Sequence, residues 1–308
     1  MEVQKPKIVF YKKRQLGEKL NAAIDFMKEN WRVLFRMMIY IILPLSLLQG
    51  LSLSKSITSI ITGDLLYGET TSPGEGLITL IGAIGSLYLV AMIYTLMQRY
   101  NEHEERLEGV TFAEILPQVN KGVGRLLLFG LTFVVAVIVF ALLGGMLFAA
   151  AAPSLLLLLL FICLLVVLVV PFQLTQAILL FERNISISQA WSQTFRLGYA
   201  TWGGTFMLGL IAGIVVFVCA LVVALPLIVF STVQGLFSLS SVASSGTSAA
   251  YGLVQYLLSV VVSFFSCIAS LFFYVVMAYQ YAHAREKMDH VTLENEIDQF
   301  DDLGSLNG

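Results

Sequence analysis

The chain of 308 residues is 58% hydrophobic and only 12% charged, where a soluble protein carries about 25% charged residues. So little charge cannot cover a water-facing surface; a freely soluble globular domain is excluded and a lipid-facing protein follows. The net charge of −2 gives nucleic acid no footing as a partner, and Cys163, Cys219 and Cys267 all sit inside apolar runs, as small packing residues rather than a disulfide or metal set.

Residues 1–13 carry Lys5, Lys7, Lys12 and Lys13 and read as a mobile basic arm. This start lacks the early apolar core of a secretory leader, so the first apolar run is expected to stay as an anchor. From Gln15 to Trp31, Leu16, Leu20, Ile24 and Met27 recur at spacings of three and four, one stripe on a helix, with Glu18, Lys19, Asp25 and Lys28 elsewhere around it. A charged helix just before a span predicts an interfacial amphipathic helix. The chain therefore divides into an arm and amphipathic helix (1–31), a six-helix transmembrane domain (32–284) and an acidic tail (285–308).

Crossing a bilayer takes about 20 apolar residues. Six runs qualify, near 34–53, 77–98, 126–150, 154–181, 204–230 and 252–281. The third and fourth are split only by Ala151, Ala152 and Pro153, which predicts a tight hairpin. Pro44, Pro171 and Pro226 fall inside runs, where each frees a backbone carbonyl and kinks its helix. The expected fold class is all-α: a polytopic membrane protein of six transmembrane helices with cytoplasmic interfacial amphipathic helices.

Orientation follows from Lys and Arg. Of the 18, only Lys55 falls on the side opposite the rest, which predicts cytoplasmic N- and C-termini. The outer loops are then 54–76, a turn at 151–153, and an uncharged, Ser- and Gly-rich 231–251 that is expected to be mobile. After the second, fourth and sixth runs come Val110-Thr111-Phe112, Ile185-Ser186-Ile187 and Val291-Thr292-Leu293, with Glu114, Gln189 and Asn295 three residues after each hydroxyl. The first two fit a capping box. A threefold repeat of helical hairpins, each ending in a surface helix, is one reading; chance similarity of short motifs is the other. The tail from Glu286 is acidic and reads as solvated.

The interiors of all six runs lack Asp, Glu, Lys, Arg and His, so ion-coupled transport has none of its usual carriers. Arg36 and Glu182 sit at run ends, within reach of the interface. His283, Glu286 and His290 are spaced for one helix face, and His103 lies between Glu102 and Glu104; a solvated charged face accounts for these better than a metal site. No nucleophile elbow, phosphate loop or zinc-protease motif occurs. Hence no catalytic, cofactor-binding or metal residues are assigned, and no cofactor.

The structural candidates are packing residues. Gly209 and Gly213 form a Gly-x-x-x-Gly pair, and Ser259, Ser263, Ser266 and Ser270 recur along one helix face. The serines could line a polar path, but without charge or large polar groups they fit a packing seam better. Glu182 ends the longest apolar run, where an unpaired carboxylate loses hydration. It is expected to pair with Arg196, or with Arg125, or to cap the helix starting near Ser186.

Two stretches carry a family resemblance. One is Arg14-Gln15-Leu16-Gly17-Glu18-Lys19-Leu20 with Phe26, Asn30-Trp31 and Leu34. The other is Glu182, then Ala190-Trp191-Ser192-Gln193-Thr194-Phe195-Arg196-Leu197-Gly198 and Trp202. Both resemble the membrane domain found ahead of some bacterial glycerophosphodiester phosphodiesterases, and the related YciC-like membrane proteins. Trp191 and Thr194 stand where that pattern has Leu and Ser. The resemblance implies a six-helix bacterial inner-membrane protein and carries over no catalytic residue, since in those enzymes the chemistry belongs to a separate soluble domain. The functional expectation is a membrane protein without catalytic machinery, an accessory or scaffold partnered by membrane lipid, with other membrane proteins as further candidate partners. The alternative is a permease or flippase for an uncharged or lipid-like substrate.

Overall fold

The computed structural model describes residues 7–62, 73–150, 155–239 and 249–291, and among these the chain is helix and connecting loop without a strand. Helix α1 spans Leu16–Thr62, α2 Pro73–Glu102, α3 Phe112–Ala150, α4 Leu155–Val169, α5 Thr175–Phe181, α6 Ile187–Ala200, α7 Trp202–Leu239 and α8 Ala249–Asp289. A 3-10 turn, Val170–Leu174, joins α4 to α5. Six segments are long and apolar enough to cross a membrane: Leu16–Ile57, Gly76–Glu102, Phe112–Met146, Leu159–Phe181, Trp202–Leu236 and Ala250–Asp289. Exposed Leu, Val and Ile side chains such as Leu131, Leu165 and Val222 coat α3, α4 and α7, as lipid-facing helices require. The chain is an all-α, multi-pass membrane protein.

Two predicted surface helices are not separate elements. The charged stretch before Trp31 and the first apolar run form one helix of 47 residues. The stretch after Thr111 is likewise the start of α3, with Glu114 in its first turn. No Gly or Pro lies between the charged and apolar parts of α1, so nothing stops the helix there. Only α6 is separate. Glu182 ends α5 in an extended conformation, and Ser186 starts α6 with a capping box completed by Gln189. The third repeat motif and the acidic tail beyond Val291, the turn at 151–153 and residues 240–248 of the Ser- and Gly-rich loop lie outside the described residues; 231–239 and 249–251, expected as loop, are the end of α7 and the start of α8, and 285–289, expected as tail, are the end of α8.

The described residues of Met1–Asn30, Ile93–Ile211 and Tyr274–Gly308 form one compact unit, and those of Trp31–Met92 and Ala212–Phe273 a second. This division cuts across the arm, span and tail domains expected from composition.

In the first unit the N-terminal segment is docked from residue 7 onward, not mobile. Phe10 is buried and stacks on Phe181 with ring centroids 4.8 Å apart. Lys7 Nζ donates to the carbonyls of Asn101 (2.7 Å) and His103 (3.1 Å). Two adjacent aromatics, Phe10 and Tyr11, in a stretch of lysines supply the anchor, and the Lys7 ammonium satisfies free carbonyls at the end of α2. Burial pushes the Tyr11 phenol above its ordinary pKa and pulls the Arg14 guanidinium below its own.

The buried face of early α1 is Lys19, Ala22, Ala23, Phe26 and Asn30, beside the predicted Leu16–Met27 stripe rather than on it. Lys19, predicted to be outside, is only 5% exposed, and its Nζ donates to Gln280 Oε1 at 2.7 Å. Its long apolar stem packs while its head finds an amide partner.

The predicted α3–α4 hairpin is present: Phe140 stacks on Phe161 at 5.3 Å, and a Cβ on Gly144 would lie 2.9 Å from the Phe161 ring. Pro171 breaks the fourth run into the 3-10 turn, as a proline without an amide should. The carbonyl it orphans is that of Val167, four residues earlier, and the Trp202 indole N–H donates to it at 3.2 Å. Helix α6 lies against this break. Its buried positions Ala190, Thr194, Leu197 and Gly198 form one stripe, and a Cβ on Gly198 would sit 2.6 Å from Pro171 Cα. Proline also interrupts α1 at Pro44 and α7 at Pro226, yet both remain single helices.

In the second unit α8 packs on α1. Gln255 Nε2 donates to the Ser54 carbonyl at 3.0 Å, and a Cβ on Gly50 would lie 2.6 Å from Val260 Cγ2. Numbers fall along α1 as they rise along α8, so the two helices are antiparallel.

Candidate functional site

Glu182 leaves the apolar run at the end of α5 and is held there. Its Oε1 accepts from Tyr281 Oη–H at 3.0 Å and faces Arg285 Nε at 3.5 Å. Arg285 also pairs with Asp289, and Arg196 reaches Asp289 through two contacts of 2.8 and 3.0 Å. The carboxylate is therefore paired, as expected, but with Arg285 rather than Arg196 or Arg125. Arg196 joins it only through Arg285 and Asp289. Arg125 instead donates to the Ile185 carbonyl at 3.2 Å. Capping of α6 falls to Ser186, not Glu182. The reason lies in α8: it continues as helix to Asp289, past the predicted end of the sixth span, and so brings Arg285 and Asp289 between the two expected partners.

Of the glycine pair, Gly209 is in close contact, since a Cβ there would overlap the Gln173 amide, whereas Gly213 has nothing within 4 Å of its Cβ position. The serines divide similarly. Ser259 is fully buried and its hydroxyl donates to the Gln255 carbonyl at 2.8 Å; Ser263 is buried; Ser266 and Ser270 are half-buried, with Ser270 donating to the Cys267 carbonyl at 2.7 Å. The face carrying Gln255, Ser259 and Ser263 is a packing seam.

The histidines do not converge. His283 Nδ1 accepts the Arg14 amide at 3.1 Å, and His290 Nδ1 lies 3.4 Å from Lys13 Nζ. Among the described residues no three His, Cys, Asp or Glu side chains are grouped to hold a metal.

A cavity of about 360 Å³ opens on the first unit between α2, α3 and the end of α5. Its walls carry Lys121, Arg125 and Arg183 with Gln98, Gln118 and Thr95, and no carboxylate. Gln98 fixes the wall: its Nε2 donates to the Leu180 carbonyl at 2.6 Å, and its Oε1 accepts from Gln118 at 2.7 Å. The neighbouring acids are already paired, Glu102 with Arg183 at 2.8 Å and Glu114 with Arg99 at 3.3 Å. Sequence reasoning missed this site, because its residues come from three separate stretches. The readable signal was Gln98, a large polar residue in the last turn of an apolar run.

No family model, curated protein or solved structure matches the chain.

Proposed function

We propose that the chain is a non-catalytic integral protein of the bacterial inner membrane, an accessory or scaffold of the YciC-like kind, with cytoplasmic termini. The observation that carries this reading is the contact chain Tyr281–Glu182–Arg285–Asp289–Arg196, which ties α5, α6 and α8 together. Groups bonded to one another in this way orient helices and are not poised to exchange protons with a substrate. The alternative, a permease or flippase, relied on the serine stripe as a path. Ser259 is bonded within its own helix and Ser263 is buried, which favours the seam.

The test is reconstitution into liposomes containing a headgroup-labelled phospholipid, followed by quenching from outside. The scaffold reading expects lipid exchange at the protein-free rate. Accelerated exchange that survives a control with an unrelated membrane protein would replace it with the flippase.

A further inference from the structure

We propose that the cavity between α2, α3 and the end of α5 is a binding site for the phosphate headgroup of an anionic phospholipid. Three observations meet there. The first is charge: Lys121, Arg125 and Arg183 line one cavity that has no carboxylate in its wall. Arg183 is neutralised by Glu102, but neither Lys121 nor Arg125 has an ion pair among the described residues. Arg125 feels the Glu182 carboxylate from outside the wall, which leaves Lys121 as the uncompensated cation; with it and the arginine donors around a space of about 360 Å³, the cavity favours an anion. That volume is at the small end of ligand sites, right for a headgroup and too small for a whole lipid.

The second is donor geometry. The buried Gln98 holds Gln118 and the Leu180 carbonyl in place, so the polar wall is built before any ligand arrives. Arg125 gives one N–H to Ile185 and retains further donors in its planar fork for phosphate oxygens.

The third is depth, and it selects a lipid over a soluble phosphate. Leu180 and Arg183 flank the point where the fourth span ends at Phe181. Beyond Arg125, on the face of α3 that carries Lys121 and Arg125, Leu128, Val135 and Val139 are exposed, the first by 59%. A lipid whose phosphate enters the cavity can lay its acyl chains along that apolar strip. A soluble anion gains nothing from it.

The experiment uses the full chain in mild detergent, with lipid retention read by native mass spectrometry and by thermal stabilisation. Phosphatidylglycerol is the probe and phosphatidylcholine the control. Phosphatidylglycerol should bind preferentially, and Lys121→Gln should weaken that binding roughly fivefold, the scale of one cation near an anionic surface. Lys121 is exposed and pairs with no other residue described, so its replacement leaves the fold intact. Lys28→Gln removes the same charge away from the cavity and should change nothing. Equal retention of the two lipids, or equal loss in both variants, would overturn the site. Full competition by millimolar inorganic phosphate would keep the anion site and overturn its lipid occupant. The site does not depend on the scaffold reading: accelerated lipid exchange would end that reading and leave retention at Lys121 unchanged.

Discussion

The indole of Trp202 has a specific task at the residue scale. Proline removes one helical hydrogen bond, and at depth in a membrane the carbonyl left behind has no water to turn to. Trp202 Nε1 serves the Val167 carbonyl that Pro171 orphans. Trp202→Phe keeps a ring to stack on Phe206, now 5.3 Å away, but removes the donor. It should cost about 1–3 kcal/mol, seen as a lower unfolding midpoint in detergent; an unchanged midpoint would mean that the carbonyl is satisfied otherwise. The ion-pair chain gives a graded expectation. Glu182→Gln removes the charge between Tyr281 and Arg285, both well covered, and should cost about 1.5–3 kcal/mol. Arg196→Ala breaks an outer contact whose arginine is 45% exposed, and should cost no more than about 1 kcal/mol. Stability unchanged in Glu182→Gln, together with loss of a pH-dependent activity, would assign Glu182 to proton handling instead.

Between elements, small residues matter only where a neighbour is close. At Gly50 an added Cβ would meet Val260 Cγ2 at 2.6 Å and the Val260 amide nitrogen at 2.8 Å, and backbone cannot rotate away as a side chain can. Gly50→Ile should therefore part α1 from α8 and lower the midpoint. Gly213→Ala, with nothing within 4 Å, should leave stability equal or slightly higher, since alanine favours helix by about 1 kcal/mol. A loss at Gly213 as large as at Gly50 would show that the Gly-x-x-x-Gly pair is used after all. Spacing alone offered Gly209 and Gly213 as partners and passed over Gly50, because a helix repeat states which residues share a face but not what the face meets. The elements themselves were far more legible. The break at Pro171 and the Ser186 capping box each follow from local chemistry, without knowledge of the partner. Phe10 and Lys19 were not legible. An aromatic in a basic arm and a lysine on an amphipathic helix are exposed by default, and the Phe181 ring and the Gln280 amide, both distant in sequence, change that.

At the scale of the whole molecule, the number of spans comes from bulk partitioning, which is why composition reaches it; orientation is a separate expectation carried by the placement of Lys and Arg. Helix α1 sharpens the argument. Its 47 residues make about 70 Å of helix against about 30 Å of hydrocarbon, so much of it must stand in the interface or in water. Its first third carries Glu18, Lys19, Asp25, Lys28 and Glu29, with Arg32 and Arg36 just beyond, whereas Lys55 is the one charged residue in the stretch that follows to Thr62. The first third is thus the part outside the hydrocarbon, and if it is cytoplasmic then so are the loops holding Arg106 and Arg183 and the end of α8. Single cysteines at Lys28 and Glu104, in a chain whose own Cys163, Cys219 and Cys267 are replaced by Ala, should react with a membrane-impermeant maleimide only after inner-membrane vesicles are made inside-out. A cysteine at Lys55 should react only from the opposite side. Labelling of Lys28 and Glu104 from opposite sides would break the shared face on which the orientation rests, and labelling of both from the periplasm would invert it.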